Sequence, residues 1–109
     1  MALNTMFKNG WYNGKVINVF RKETMRGPRI KFYVLLDGVG AEASCLCHPN
    51  LLPGSDLYKW VRICSISLES IDDNIDKHKF IDKDIKVYVV KNGEYLNIVD
   101  VKNINGRKT

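Results

Sequence analysis

The sequence predicts a small, mostly-β domain of five strands closing into one barrel, with a single helix between the third and fourth strands. Three observations carry this: three β-rich runs separated by turn residues in the first half, one stretch with helical apolar spacing, and a final pair of β-rich runs joined by Asn92-Gly93. With 109 residues and 45% apolar content, the chain can fill one core and is read as one domain over 1–109. The ordered part is expected over about 10–102, with fraying at both termini, including the tail 103–109.

From Trp11 to Arg21 the residues favour a strand, and Gly14 inside it marks a bulge or a sharp bend. The polar segment RKETMRGPR, with Gly27-Pro28, is expected to be a loop. Ile30 to Leu36 alternates as a second strand, with Ile30, Phe32 and Val34 on one face and Lys31, Tyr33 and Leu35 on the other. Asp37-Gly38 supplies turn chemistry before a third strand, Ala41 to Cys47. His48 to Gly54 is a loop ending at Ser55, a good N-cap. Leu57, Trp60, Val61 and Cys64 then recur at i, i+3, i+4, i+7, the stripe of a one-sided helix. The helical spacing runs on loosely through Leu68, Ile71 and Ile75, but Ser65 and Ser67 weaken it and Ile66 fits a short alternating run, so 66–82 stays open between helix and strand.

In IKVYVVKNGEYLNIVDV, Asn92-Gly93 favours a tight type I′ turn. That turn would set Val89 opposite Leu96, Val87 opposite Ile98, Val90 opposite Tyr95 and Tyr88 opposite Asn97. One face is then aliphatic and belongs to the core. The other carries Lys86, Tyr88, Tyr95 and Asn97.

Three strands, a helix and a hairpin follow the element order of the OB barrel. At this level the chain resembles OB-fold single-stranded DNA-binding proteins, and its spacing looks like the small bacteriophage versions. The resemblance covers roughly 10–102 and rests on the order of elements, without a diagnostic motif. Its basic end, GRKT, departs from the acidic tail with which cellular members recruit partners. The resemblance implies a DNA-binding protein of viral DNA replication, cytoplasmic in its host.

Lys and Arg number 17 against 12 acids, a net charge of +5 and a pI near 9.2, which suits a polyanionic partner. The first candidate site is Arg21, Lys22, Arg26, Arg29 and Lys31, opposed only by Glu23. Such a run neutralises phosphates without reading sequence, and in the OB fold the loop between the first two strands flanks the cleft. The bland alternative is a solvated loop kept charged for solubility, against which five basic residues within 11 positions favour binding. The second site is a set of rings able to stack on bases: Tyr33 first, with Tyr12 or Trp11 on the neighbouring strand, and Tyr88 and Tyr95 extending the platform. Against this stands the usual fate of aromatics, packing in the core, which the helical stripe assigns to Trp60.

Cys45, Cys47, His48 and Cys64 are the candidate zinc ligands. The Cys-x-Cys spacing puts two sulfurs on one strand face, but the Cys-x-x-Cys knuckle is missing and Cys64 belongs to the helix's apolar stripe, so core packing and no cofactor are expected. The odd cysteine count gives no disulfide framework. Catalytic motifs are absent, and Asp72, Asp73 and Asp76 lack the EF-hand spacing, so no enzyme is expected. The amino-terminal segment has no secretory apolar core and no run spans a bilayer, which predicts a soluble cytoplasmic protein. Single-stranded DNA, or RNA, is the expected partner, with homo-oligomerisation open. The alternative is a protein-interaction module, such as a phage-encoded inhibitor or an accessory subunit, built on the same barrel.

Overall fold

Gly10 to Thr24 form one strand of 15 residues, β1, long enough to serve two neighbours. The computed structural model describes residues 7–49, 52, 54–64 and 79–103. After β1 come β2 (Gly27–Leu36), β3 (Glu42–Cys47), a helix α1 (Asp56–Ile63), β4 (Asp84–Asn92) and β5 (Tyr95–Lys102). The strands pair in the order β1-β2-β3-β5-β4, and β4 returns to β1 to close the ring. Every pair is antiparallel except β3 and β5, which run parallel and meet at Ser44 and Asn97. This is the OB-like barrel that the element order predicts.

The first half of β1 lies against β4, from Gly10 opposite Val89 to Lys15 opposite Asp84, and the rest lies against β2. The two ladders overlap at Gly14 and Lys15. A Cβ on Gly14 would stand 2.5 Å from Val34 Cγ1 and 2.8 Å from the Leu35 carbonyl oxygen, so only glycine lets β1 come this close to β2. The bulge itself falls later, between Val16 and Asn18, which corrects the bulge reading of Gly14.

The segment expected to be a loop is instead a hairpin. The β1–β2 ladder continues through Thr24 opposite Gly27, leaving only Met25 and Arg26 as the turn. Thr24 closes it: its hydroxyl donates to the Gly27 carbonyl at 2.6 Å and accepts from the Arg26 N–H at 3.2 Å. Gly27 takes φ +109°, as the end of such a turn requires. Pro28 sits where β2 has only β1 beside it, an edge that proline tolerates.

The helix forms as its spacing dictates. Ser55 Oγ accepts from the Tyr58 N–H at 3.2 Å, and Leu57, Trp60 and Val61 turn inward. Inside the barrel, Val16, Ile30, Phe32, Val34, Ile85, Val87 and Val89 are wholly buried. Trp60 stacks on Phe32 with ring centroids 3.9 Å apart, and Phe80 meets the same ring edge-on at 5.2 Å. Phe80 is a core residue with no periodic signal around it. Residues 65–78, most of the stretch left open between helix and strand and including Asp72, Asp73 and Asp76, lie outside the described residues.

The final hairpin keeps its faces but shifts its register. Asn92 pairs with Tyr95, Lys91 with Leu96, Val90 with Asn97 and Val89 with Ile98, so Gly93 and Glu94 are the turn. Gly93 alone of the two has positive φ, +66°, which suits a type II′ turn with glycine in the first central place. The shift moves each partner by two residues, so Val87, Val89 and Ile98 still point inward. A bulge between Tyr88 and Val89 then brings Val101 into the core opposite Val87.

Candidate nucleic-acid interface

Residues opposite one another in a ladder share a face of the sheet. Asn18, Tyr33, Ser44 and Asn97 therefore form one row on the outer surface, crossing β1, β2, β3 and β5. Beside it runs Phe20, Lys31 and Leu46, and beyond that Lys22 opposite Arg29. This ordering follows from the alternation in β2, whose inner residues Ile30, Phe32 and Val34 fix Arg29, Lys31 and Tyr33 outward.

The rings on this face are partly open and already in contact with a cation. Phe20 and Tyr33 lie 6.0 Å apart between centroids, and Lys31 Nζ is 5.0 Å from the Tyr33 centroid. Apolar side chains continue the surface: Leu35, Leu46 and Val99 are 41%, 47% and 61% exposed, and Tyr95 at the hairpin end is 74% exposed. Leu46 and Val99 border one cleft between β3 and β5.

The basic run leads away from this face along the β1–β2 hairpin. Arg21 spends its charge on Glu23, at 3.4 Å. Arg29 Nη1 folds back onto the turn, donating to the Pro28 carbonyl at 2.9 Å and the Arg26 carbonyl at 3.4 Å. Among the described residues no ion pair involves Lys22, Arg26, Arg29 or Lys31. Those four cations are available to an incoming anion.

Not every candidate ring joins them. Tyr12 points to the inner side of β1, stacks on Phe7 at 5.1 Å and donates its hydroxyl to the Lys8 carbonyl. Phe7 lies ahead of the strand, so nothing in the strand's own pattern announced the cover. Trp11 takes the outward place and meets Tyr88 edge-on at 5.4 Å, with Lys102 Nζ 4.3 Å from its ring. That pair belongs to β4 and the start of β1. On the ring of strands β4 is separated from β2 by β1 on one side and by β3 and β5 on the other. Tyr88 therefore does not extend the Tyr33 surface, whereas Tyr95, two residues from Asn97 on β5, lies at its margin. Phe20 is the ring that the sequence reading did not single out. Its position two residues before Lys22 was the available signal, hidden by the bulge that changes the alternation of β1.

The cysteines pack. Cys47 and Cys64 are buried and Cys45 is half-buried, while His48 is exposed. Cys45 and Cys47 share the inner face of β3, as their spacing requires, and the contact with Cys47, followed by burial, raises the Cys45 thiol's pKa. Burial pushes Cys64 up to about 12. Among the described residues no group of three or more His, Cys, Asp or Glu could hold a metal ion, and no helix among them is long and apolar enough to cross a membrane. Two further ion pairs join separate elements of the fold. Lys15 meets Asp84 at 3.0 Å, which raises the lysine's pKa, and Lys59 of α1 bonds Asp100 of β5, which lowers that of the carboxyl.

Comparison with protein-family models and with curated proteins finds no match for this chain.

Proposed function

We propose that this chain is a non-enzymatic module that binds single-stranded nucleic acid, DNA in preference to RNA, with weak sequence preference, on the outer face of β2, β3 and β5. One observation carries the proposal: Tyr33 and Phe20, with Lys31 over the Tyr33 ring, adjoin Lys22 and Arg29 on the same face. Phosphates are drawn by the cations of the hairpin, releasing condensed counterions, and bases stack on the rings whatever their identity. With Arg21 paired to Glu23, if Lys22, Arg26, Arg29 and Lys31 each neutralise one phosphate, log K falls by roughly 2.8 per decade of salt, at about 0.7 per phosphate for single strands. Fluorescence titration with oligo-dT at two salt concentrations tests this. Binding that is absent at low salt, or indifferent to salt, ends the proposal.

Exposed Leu35, Leu46 and Val99 favour a second reading, a protein-interaction module on the same face. Tyr33→Leu separates the two, since stacking on bases is lost while an apolar protein contact survives. Reversing charges at Arg26 and Arg29 separates them poorly, because either partner would leave.

A further inference from the structure

We propose that the β1–β2 hairpin is a wedge that seats at the end of a duplex where it meets the single strand held on the Tyr33 face; this rests on the reading above. The geometry is a ribbon with a firm tip. The ladder between β2 and β3 stops at Ile30 opposite Cys47, so Lys22 with Arg29, Glu23 with Pro28 and Thr24 with Gly27 pair only with each other beyond the barrel. Thr24's hydroxyl and Arg29's guanidinium both bond the backbone around the turn and stiffen it.

At the apex, Met25 is fully exposed, with a relative accessibility of 105%. Turns are ordinarily built from Gly, Asn, Asp, Ser or Pro, whose backbones or side chains serve the turn itself; a methionine contributes no such bond. What it offers is an unbranched apolar probe, the kind of side chain that enters between base steps and unstacks them. Cations flank it: Arg26 is its neighbour, and Lys22 and Arg29 lie three rungs down the ribbon, with the Arg29 guanidinium folded back to the Arg26 carbonyl. These can hold phosphates on both sides of an inserted side chain.

The order of groups fixes the occupant. Moving outward from the barrel, a strand passes Tyr33, then Phe20 and Lys31, then Lys22 and Arg29, then Met25. A polynucleotide stacked on the first rings reaches the methionine last. Unstacking costs a few kcal/mol per step and least where a base pair has a neighbour on one side only, so the terminal pair of a duplex is where this apex does its work.

The test uses the full chain and three DNAs: an oligo-dT, a duplex with a dT tail carrying 2-aminopurine in the base pair next to the tail, and the same duplex blunt-ended. Wild-type protein should raise 2-aminopurine emission on the tailed duplex and prefer it over oligo-dT on the order of tenfold. Met25→Ala, at a side chain exposed to solvent, should fold normally by circular dichroism and keep its oligo-dT affinity. It should lose both the emission rise and the preference, and Met25→Leu should restore them. If wild-type protein binds oligo-dT but leaves the emission unchanged, or if Met25→Ala raises it equally, the wedge is wrong and the single-strand reading stands. Equal emission on blunt and tailed duplexes also overturns it, since the bound strand would then play no part. Absence of oligo-dT binding removes the single-strand reading and the wedge together.

Discussion

Phe32 and Tyr33 are neighbours in β2, yet they belong to two different aromatic systems. Phe32 is wholly buried, stacked on Trp60 and met edge-on by Phe80. Tyr33, one residue on, is only partly covered, with Phe20 tilted beside it and Lys31 above it. The inner rings are buried and pack on one another. The outer rings touch each other loosely and leave π-surface beside positive charge. Residue type does not separate the buried ring from the open one here; the parity of the strand does.

The largest effect should come from Phe32→Ala, which removes the ring that both Trp60 and Phe80 pack on. A loss of about 3 to 5 kcal/mol is expected in a denaturant melt, a large share of the roughly 5 to 15 kcal/mol that holds a domain of this kind. If stability barely changes, the inner stack is not the centre of the core. Gly14→Ala breaks the contrast from the backbone side. Its methyl would collide with Val34 Cγ1 and the Leu35 carbonyl oxygen, and a cost of about 1 to 3 kcal/mol is expected in the same assay. Tyr33→Leu sharpens the contrast by doing the opposite: stability within about 0.5 kcal/mol of wild type, and oligo-dT affinity lower by about 1 to 3 kcal/mol. A melt shifted as far as that of Phe32→Ala would show that both faces are structural.

The smallest effect is one of pH. Burial raises the folded-state pKa of Cys64 to about 12 from 9.0. A thiol whose folded pKa is raised contributes stability that is complete below the unfolded pKa and is lost as pH rises from about 9 toward about 12. Cys64 alone contributes a slope approaching about 1.4 kcal/mol per pH unit, one proton's worth. Cys64→Ala should flatten that slope, as measured by melts at pH 8, 9 and 10.

Much of the barrel was legible because its strands alternate cleanly. Ile30, Phe32 and Val34 announce their inner face, Leu57, Trp60 and Val61 their helical stripe, and Ser55 its cap. What misled were signals that local chemistry gives ambiguously. Arg21 to Arg29 are polar and carry Gly-Pro, which reads as a loop; yet nothing in a charged side chain opposes a two-stranded ribbon, and Thr24 supplies the closing bonds. Asn92-Gly93 marks the right hairpin but not which of the two residues leads the turn, and the glycine did. Of the site, Lys31 and Tyr33 were readable from one strand. Phe20 was not, because a bulge inserts a residue between it and the start of β1, and Tyr12 is covered by Phe7 from outside the strand. Long-range register decides such cases, and a single sequence carries it weakly.

The parallel junction of β3 and β5 has one recorded bridge, Ser44 to Asn97, where every other pair of strands has a run of them. So short a clasp predicts that the bracelet parts there first, with amides of β3 and β5 at this seam exchanging at a free energy below that of melting the whole. Helix α1 is the safety catch, with Lys59 tethered to Asp100 on β5 and Trp60 lodged against Phe32. Since Ser44 and Asn97 sit in the same outer row as Tyr33, any breathing of the clasp changes the width of the very surface on which a guest would lie.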